Sequence, residues 1–173
     1  MPEIILKLEH CTLRPFTWAD AKSLAKYANH YQVAAFLRPS FPHPFTRKDA
    51  EEYIYFCMHT KDTIVLAVQV NDEAIGSIGV QLVTFKGKQT WELGYWIGFP
   101  FWHKGIMNEA VKNFVQYLTS YLKTNEIIAK VYNLNIASIK VLQNNGFVRI
   151  NSAETTRIRT GQLAEEWVFI KKL

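Results

Sequence analysis

Apolar residues recur along this chain with two different periods, and the changes of period mark out its elements. "CTLRPF" alternates and ends at Arg14 and Pro15, which predicts a first strand running into a turn. In "TWADAKSLAKYANH" the apolar positions Ala21, Leu24, Ala25 and Ala28 fall at helical spacing behind Thr17, a residue suited to an N-cap. Pro39, Pro42 and Pro44 exclude helix and central strand from "FLRPSFPHPF" and predict a loop. Beyond it, Thr46 caps a second helix over "RKDAEEYIYFCMHT", with Ala50, Tyr53, Ile54 and Cys57 on the inward stripe.

Three β-type runs follow: "TIVLAVQV", "EAIGSIGVQLVTF" and "TWELGYWIGF". Asn71 and Asp72 turn the first pair, and Lys86, Gly87 and Lys88 the second, which predicts an antiparallel meander. The strongest periodic signal spans about residues 104–122, where Met107, Ala110, Val111, Phe114, Val115, Leu118 and Leu122 share one helical face. "EIIAKVY" reads as a strand, and "NIASIKVLQNN" as a short helix with Asn135 as N-cap and Gly146 just past its end. "GFVRI" and "EEWVFIKKL" read as closing strands. The order predicts an α/β architecture, a mixed and mostly antiparallel sheet flanked by helices. Repeats and low-complexity tracts are lacking, so residues 1–173 are expected to form a single domain.

Composition narrows the function classes. At 49% apolar and 20% charged residues the chain belongs with globular proteins. The N-terminal "MPEIILKLEH" lacks a basic start and a long apolar core, and no uncharged run approaches a membrane span, so a cytoplasmic protein without membrane association is expected. The net charge of +5 favours anionic ligands, but Lys and Arg are scattered without an aromatic-basic stripe, so no nucleic-acid partner is expected. Cys11 and Cys57 read as buried apolar residues rather than a disulfide framework. His10, His30, His43, His59 and His103 show no metal-ligand spacing with acidic partners, and no metal is expected.

Three places carry candidate chemistry. In "WIGFPFWHKGIMNEAVKNF" a hydrophobic strand gives way to Gly105 and at once to a helix, whose first N–H groups and dipole attract an anion beside His103 and Lys104. A glycine that merely turns strand into helix accounts for the same pattern. Glu92 stands in a strand among Trp91, Leu93, Tyr95 and Trp96, where burial favours a general base; a solvent-facing or lysine-paired carboxylate is the alternative. Ser138 lies on the first turn behind Asn135, either aimed at a reaction centre or bonded to its own backbone.

Together "ELGYWIGFPFWHKGIMNEAV" and "NIASIKVLQNNGF" resemble the GNAT superfamily of acetyl-CoA-dependent N-acetyltransferases, in the branch of the RimJ and RimL ribosomal-protein N-terminal acetyltransferases. "LRPFTWADA" resembles the same branch's opening strand and helix, so the likeness covers nearly the whole chain. It implies acetyl-CoA as cosubstrate and a GNAT-type fold. The family's phosphate loop falls on Trp102, His103, Lys104, Gly105, Ile106 and Met107, with N–H groups as far as Asn108 around the pyrophosphate. Tyr95, Trp96 and Ile97 match the strand whose backbone holds the pantetheine arm, and Asn135 and Ser138 match a pair near its thiol end. Glu92 matches the branch's proposed general base, with Ser138 as acid or hydrogen-bond donor to the departing thiolate.

Trp102 replaces the superfamily's usual Gln or Arg, as is common in this branch; Met107 stands where Gly or Ala is usual, and Asn108 where Thr or Ser is common. The resemblance implies direct transfer in a ternary complex to a primary amine, with a protein or peptide N-terminus as the leading acceptor. A small-molecule acceptor such as a polyamine or aminoglycoside, and a catalytically silent acyl-CoA sensor, are the alternatives. Tyr31, Phe36, Phe41 and Phe45 cluster around the Pro-rich loop, either as an acceptor wall or as loop anchors. A homodimer is compatible with this reading.

Overall fold

The computed structural model describes residues 4–122 and 124–173, so the first three residues of the N-terminal stretch read above lie outside it. The strands are β1 (Leu6–Lys7), β2 (Thr12–Arg14), β3 (Thr63–Val70), β4 (Glu73–Phe85), β5 (Lys88–Ile97), β6 (Glu126–Tyr132), β7 (Val148–Arg157) and β8 (Leu163–Lys172). The helices are α1 (Ala21–Ala28), α2 (Tyr31–Ala35), α3 (Arg47–His59), α4 (Ile106–Tyr121) and α5 (Ile136–Asn144). All eight strands form one sheet in the order β1-β2-β3-β4-β5-β6-β8-β7. Every neighbouring pair is antiparallel except β5 with β6, which α4 joins in parallel. The mixed, mostly antiparallel sheet is the one the sequence predicts. No described helix is long and apolar enough to cross a membrane.

The period of two along β5 sends Glu92, Gly94 and Trp96 to one face and Leu93 and Tyr95 to the other. The first face meets α3, whose Tyr53 hydroxyl lies 2.8 Å from Ser77 Oγ, with Ser77 opposite Trp96 in the ladder. The second face meets α5, where Tyr95 reaches Ser138. The α4 stripe is buried as its periodicity predicts, with Ala110, Val111, Phe114 and Leu118 fully enclosed, although Leu122 falls just past the helix end. Cys11 and Cys57 are free and buried, and burial pushes both thiols up to about 12, helped at Cys11 by the charge of Glu109.

Several boundaries differ from the pattern-based reading. The helix expected directly behind Thr17 begins as a single 3-10 turn (Trp18–Asp20) before α1, because the Asp20 carboxylate takes the Thr17 N–H at 2.8 Å and ties the turn back. A five-residue α2 occupies the ground between the first helix and the Pro-rich loop, burying Val33, Ala34 and Ala35. β7 runs on to Arg157, well past the apolar "GFVRI", since an edge strand with exposed Glu154, Thr155 and Thr156 has no apolar alternation to read. α4 starts at Ile106, two residues later than expected.

One ion pair closes the entrance to α1. Arg14 grips both oxygens of Asp20, at 2.8 and 2.7 Å, and Asp20 is only 4% exposed. Burial opposes ionisation of Asp20, yet the Arg14 guanidinium and the Thr17 donors outweigh it and hold the carboxyl below its usual range. A depressed carboxyl contributes stability that is complete above the unfolded-state value near 4 and is lost as pH falls through the folded value. Asp20→Ala is therefore expected to destabilise the fold by about 3 kcal/mol, by leaving Arg14 unpaired and part-buried. Urea melts at pH 7 and pH 3 check both statements, because the gap between variant and parent must shrink at the lower pH.

Candidate active site

The loop before α4 is built to hold an anion. His103 and Gly105 both have positive φ, 60° and 76°, with Lys104 between them outside that region. Such an alternation turns successive N–H groups towards one side and forms an anion-binding concavity. Gly105 is the N-cap and offers no side-chain acceptor; the first intrahelical bond comes from the Glu109 N–H to the Gly105 carbonyl at 3.1 Å. Ile106, Met107 and Asn108 thus present N–H groups without an intrahelical acceptor, at the positive end of a 16-residue helix. A Cβ at Gly105 would meet nothing within 4 Å, so the loop stands open rather than packed.

The family departures settle individually. The Trp102 indole donates to the Ile97 carbonyl at 2.9 Å, pinning the loop to the end of β5. Met107 is 7% exposed and joins the core, which takes its bulk away from the concavity. The Asn108 side-chain oxygen accepts from Asn145 at 3.2 Å, so it links α4 to α5 and leaves its NH₂ as the side chain's remaining donor group.

A cavity of about 410 Å³ starts at this loop and runs between α5 and the end of β5, with Lys140 and Tyr95 on its wall. It follows a parting in the sheet. β5 and β6 pair only at Trp91↔Ile127, Glu92↔Ile128 and Leu93↔Ala129, although β5 continues to Ile97 and β6 to Tyr132. Beyond Leu93 the strand edge carrying Tyr95, Trp96 and Ile97 has no ladder partner on β6 and is free for an extended ligand. At the deep end, Asn135 caps α5 by accepting the Ser138 N–H at 3.2 Å, and Ser138 Oγ lies 2.9 Å from the Tyr95 hydroxyl. Burial holds Tyr95 well above the ordinary tyrosine range, so it remains a neutral phenol able to donate. Its side chain, rather than only its backbone, belongs to the site.

On the opposite face a second cavity of about 800 Å³ crosses the sheet from β6 to β3. The two cavities share Phe36, Leu37, Tyr95, Trp96, Asn135 and Ser138, so they meet at the parting. The floor is bare where Gly79 faces Gly94 across β4 and β5. Glu92 lines this cavity and is 9% exposed. Its surroundings are those of the lysine-paired alternative rather than an apolar pocket, with an arginine added: Arg38 donates to Oε1, and Lys130 Nζ lies 3.6 Å from Oε2. Phe36, Phe41 and Phe45 line the same cavity, with Phe41 stacked on Phe45 at 4.9 Å and edge-on to Trp96 at 5.9 Å. Tyr31 does not line it; half-exposed, it leans on His43.

Arg38, Lys130 and Glu166 are the groups that sequence reasoning missed. A lone lysine inside the apolar "EIIAKVY" was the available signal for Lys130; Arg38 lies within a loop read only for its prolines and aromatics. The fold also brings Glu9, His10 and Glu109 together, a cluster that spacing could not reveal. The Glu109 carboxylate there accepts from the Glu9 and His10 N–H groups at 2.9 and 3.0 Å, stapling α4 to the β1–β2 turn.

An acetyltransferase (GNAT) domain model matches residues 10–148. The uncharacterized N-acetyltransferase p20 of Bacillus licheniformis is 28% identical over 170 residues, 95% of this chain and 93% of that protein. Among solved structures, the Vibrio fischeri ribosomal-protein-S5-alanine acetyltransferase superposes with a TM-score of 0.79 at 21% identity, covering 98% of this chain and 97% of that one. The microcin C7 self-immunity acetyltransferase MccE, solved with acetyl-CoA and AMP, gives 0.81 at 18% identity, covering 100% and 98%.

The open concavity at Gly105 can be tested directly. Gly105→Ala places a Cβ on a left-handed residue beside the candidate phosphate site, at a cost of about 1 kcal/mol in strain. Calorimetry is expected to register coenzyme A binding about tenfold weaker or worse, while the melting temperature falls by only a few degrees. Unchanged affinity would place the diphosphate elsewhere.

Proposed function

The chain belongs to the acetyltransferase (GNAT) family and is an acetyl-CoA-dependent N-acetyltransferase; from this premise we propose that its acceptor is the N-terminal amine of a protein or peptide, as in a RimJ/RimL-like enzyme. We take residues 1–173 as one catalytic unit. The observation that carries the reading is the meeting of two cavities at Tyr95 and Ser138, with Glu92 on the other face of the same strand.

Acetyl-CoA supplies an acyl group activated as a thioester. The residues present suit it: the N–H groups of His103 to Asn108 for the diphosphate, Lys104 and Lys140 for further negative charge, and the unpaired edge of Tyr95, Trp96 and Ile97 for the amide-bearing arm. Ser138, with the neutral Tyr95 phenol behind it, donates a hydrogen bond towards the departing sulfur. Glu92 holds the acceptor ammonium and takes its proton, directly or through one water, because only the neutral amine has a lone pair for attack. Direct transfer needs no protein nucleophile, and both cysteines are buried as protonated thiols.

The groove spans four strands, about 14 Å at the usual spacing of about 4.8 Å, room for several residues of extended chain above the bare Gly79–Gly94 floor. Its wall also carries four carboxylates, Asp49, Glu52, Glu92 and Glu166, against two cations, Arg38 and Lys130, in a chain of net charge +5. That local excess of negative charge supports a cationic acceptor and favours a polyamine as the second reading.

Thiol release from acetyl-CoA against N-terminal peptides, their N-terminally blocked forms, polyamines and aminoglycosides decides between these. Free peptides are expected to turn over and blocked ones not. Turnover of a polyamine alone would replace the peptide reading, and acetyl-CoA binding without turnover of any amine would leave the sensor alternative. With the best acceptor, Glu92→Gln is expected to lower kcat about 100-fold or more, and Ser138→Ala about tenfold, with acetyl-CoA affinity held within about twofold.

A further inference from the structure

We propose that Arg38 is the protein's own occupant of the acceptor-ammonium position, and that it sets specificity by keeping Glu92 from activating water or neutral nucleophiles until a cationic amine displaces it. This rests on the reading of Glu92 as the group that receives the acceptor's proton. The two Glu92 oxygens are held unequally. Oε2 faces Lys130, which is rooted in β6 with its side chain 28% exposed. Oε1 takes the Arg38 guanidinium, whose side chain is 53% exposed and reaches in from the connection between α2 and α3.

The backbone of that connection is pinned independently. Arg159, between β7 and β8, donates to the carbonyls of Ala34 and Phe41 at 3.2 and 2.5 Å. Among the described residues Glu92 is the one hydrogen-bonding side-chain partner of Arg38, so the guanidinium can leave while the loop stays in place. The Arg38 end of this pair is half-exposed and meets water, while Lys130 still faces the buried Glu92 carboxylate, so the guanidinium can exchange without leaving that charge uncompensated. Glu166 lines the same cavity without an ion-pair partner among the described residues, and provides a carboxylate for the released guanidinium.

The chemical consequence is selectivity for charged amines. An ammonium replaces the guanidinium with the same charge and the same kind of donor, whereas water or a hydroxyl group cannot compensate the exchange. With Arg38 seated, Oε1 of Glu92 is occupied and unavailable to water. Without it, Glu92 can take a proton from water as the new C–O bond forms to the acyl carbon, the C–S bond breaks, and acetate and the coenzyme A thiol are released.

The test therefore needs no acceptor. Thiol release from acetyl-CoA is measured with no amine present, for the parent, Arg38→Ala, Arg38→Lys and Arg38→Ala combined with Glu92→Gln, with acetyl-CoA affinity measured by calorimetry alongside. Arg38→Ala is expected to hydrolyse acetyl-CoA about fivefold faster or more, millimolar guanidinium chloride to suppress that gain, Arg38→Lys to stay near the parent rate, and the double variant to lose the gain. If Arg38 only supports the loop, Arg38→Ala melts earlier without faster hydrolysis, and guanidinium restores nothing. Equal hydrolysis with normal acetyl-CoA binding overturns the role of Arg38 alone. Failure of the parent to bind acetyl-CoA overturns the active-site reading with it.

Discussion

The parting of β5 from β6 is the constraint on which the site depends. Three register pairs hold these strands together, and then four residues of β5 go on with one edge unladdered. Unpaired backbone groups inside a sheet are costly unless a ligand or water satisfies them, so the parting leaves an edge with which an extended ligand can pair. It also opens the only kind of passage a sheet permits, an aperture between strands, and through it a cavity on the α5 side meets a groove on the α3 side. A residue pair three apart on β5, Glu92 and Tyr95, then serves both faces. The alternation of a strand separates the proposed proton acceptor from the proposed hydrogen-bond donor without extra structure.

The start of α4 supplies the second half of the arrangement. Its anion-binding character resides in backbone, not side chains: two left-handed residues, an N-cap without a side-chain acceptor and three free N–H groups. This explains how the loop tolerates Trp102, Met107 and Asn108 at positions where other residue types are usual. Each of these side chains is employed elsewhere, on the Ile97 carbonyl, in the core and on Asn145.

Charge is distributed against the overall balance of the chain. The protein is net basic, the cavity beside Gly105 carries Lys104 and Lys140, and the groove over β3 to β6 carries an excess of carboxylates. On the proposed reading, opposite local fields on the two sides of the sheet sort a polyanionic cosubstrate from a cationic acceptor before either makes a specific contact. Within the groove, Glu92 is compensated by two cations of different exposure, so a buried carboxylate stays paired even where one partner faces water.

The sequence by itself determined the elements whose apolar residues keep a period: the meander, α4 and its buried stripe, the Thr46 and Asn135 caps and the turn at Gly105. These follow from local spacing and backbone preference, and family resemblance over "ELGYWIGFPFWHKGIMNEAV" and "NIASIKVLQNNGF" extended them to a cosubstrate and to Glu92 and Ser138. Short and polar elements escaped the pattern: β1 and α2 span too few residues for a period to register, and the exposed length of β7 carries no apolar alternation. Tertiary structure alone decided that β5 and β6 part, that Tyr95 turns its hydroxyl to Ser138, and that Glu92 takes the lysine-paired reading the strand left open, between Arg38 and Lys130. Those facts join residues 36 to 54 positions apart in the chain, and no local period encodes which side chains the sheet will bring face to face.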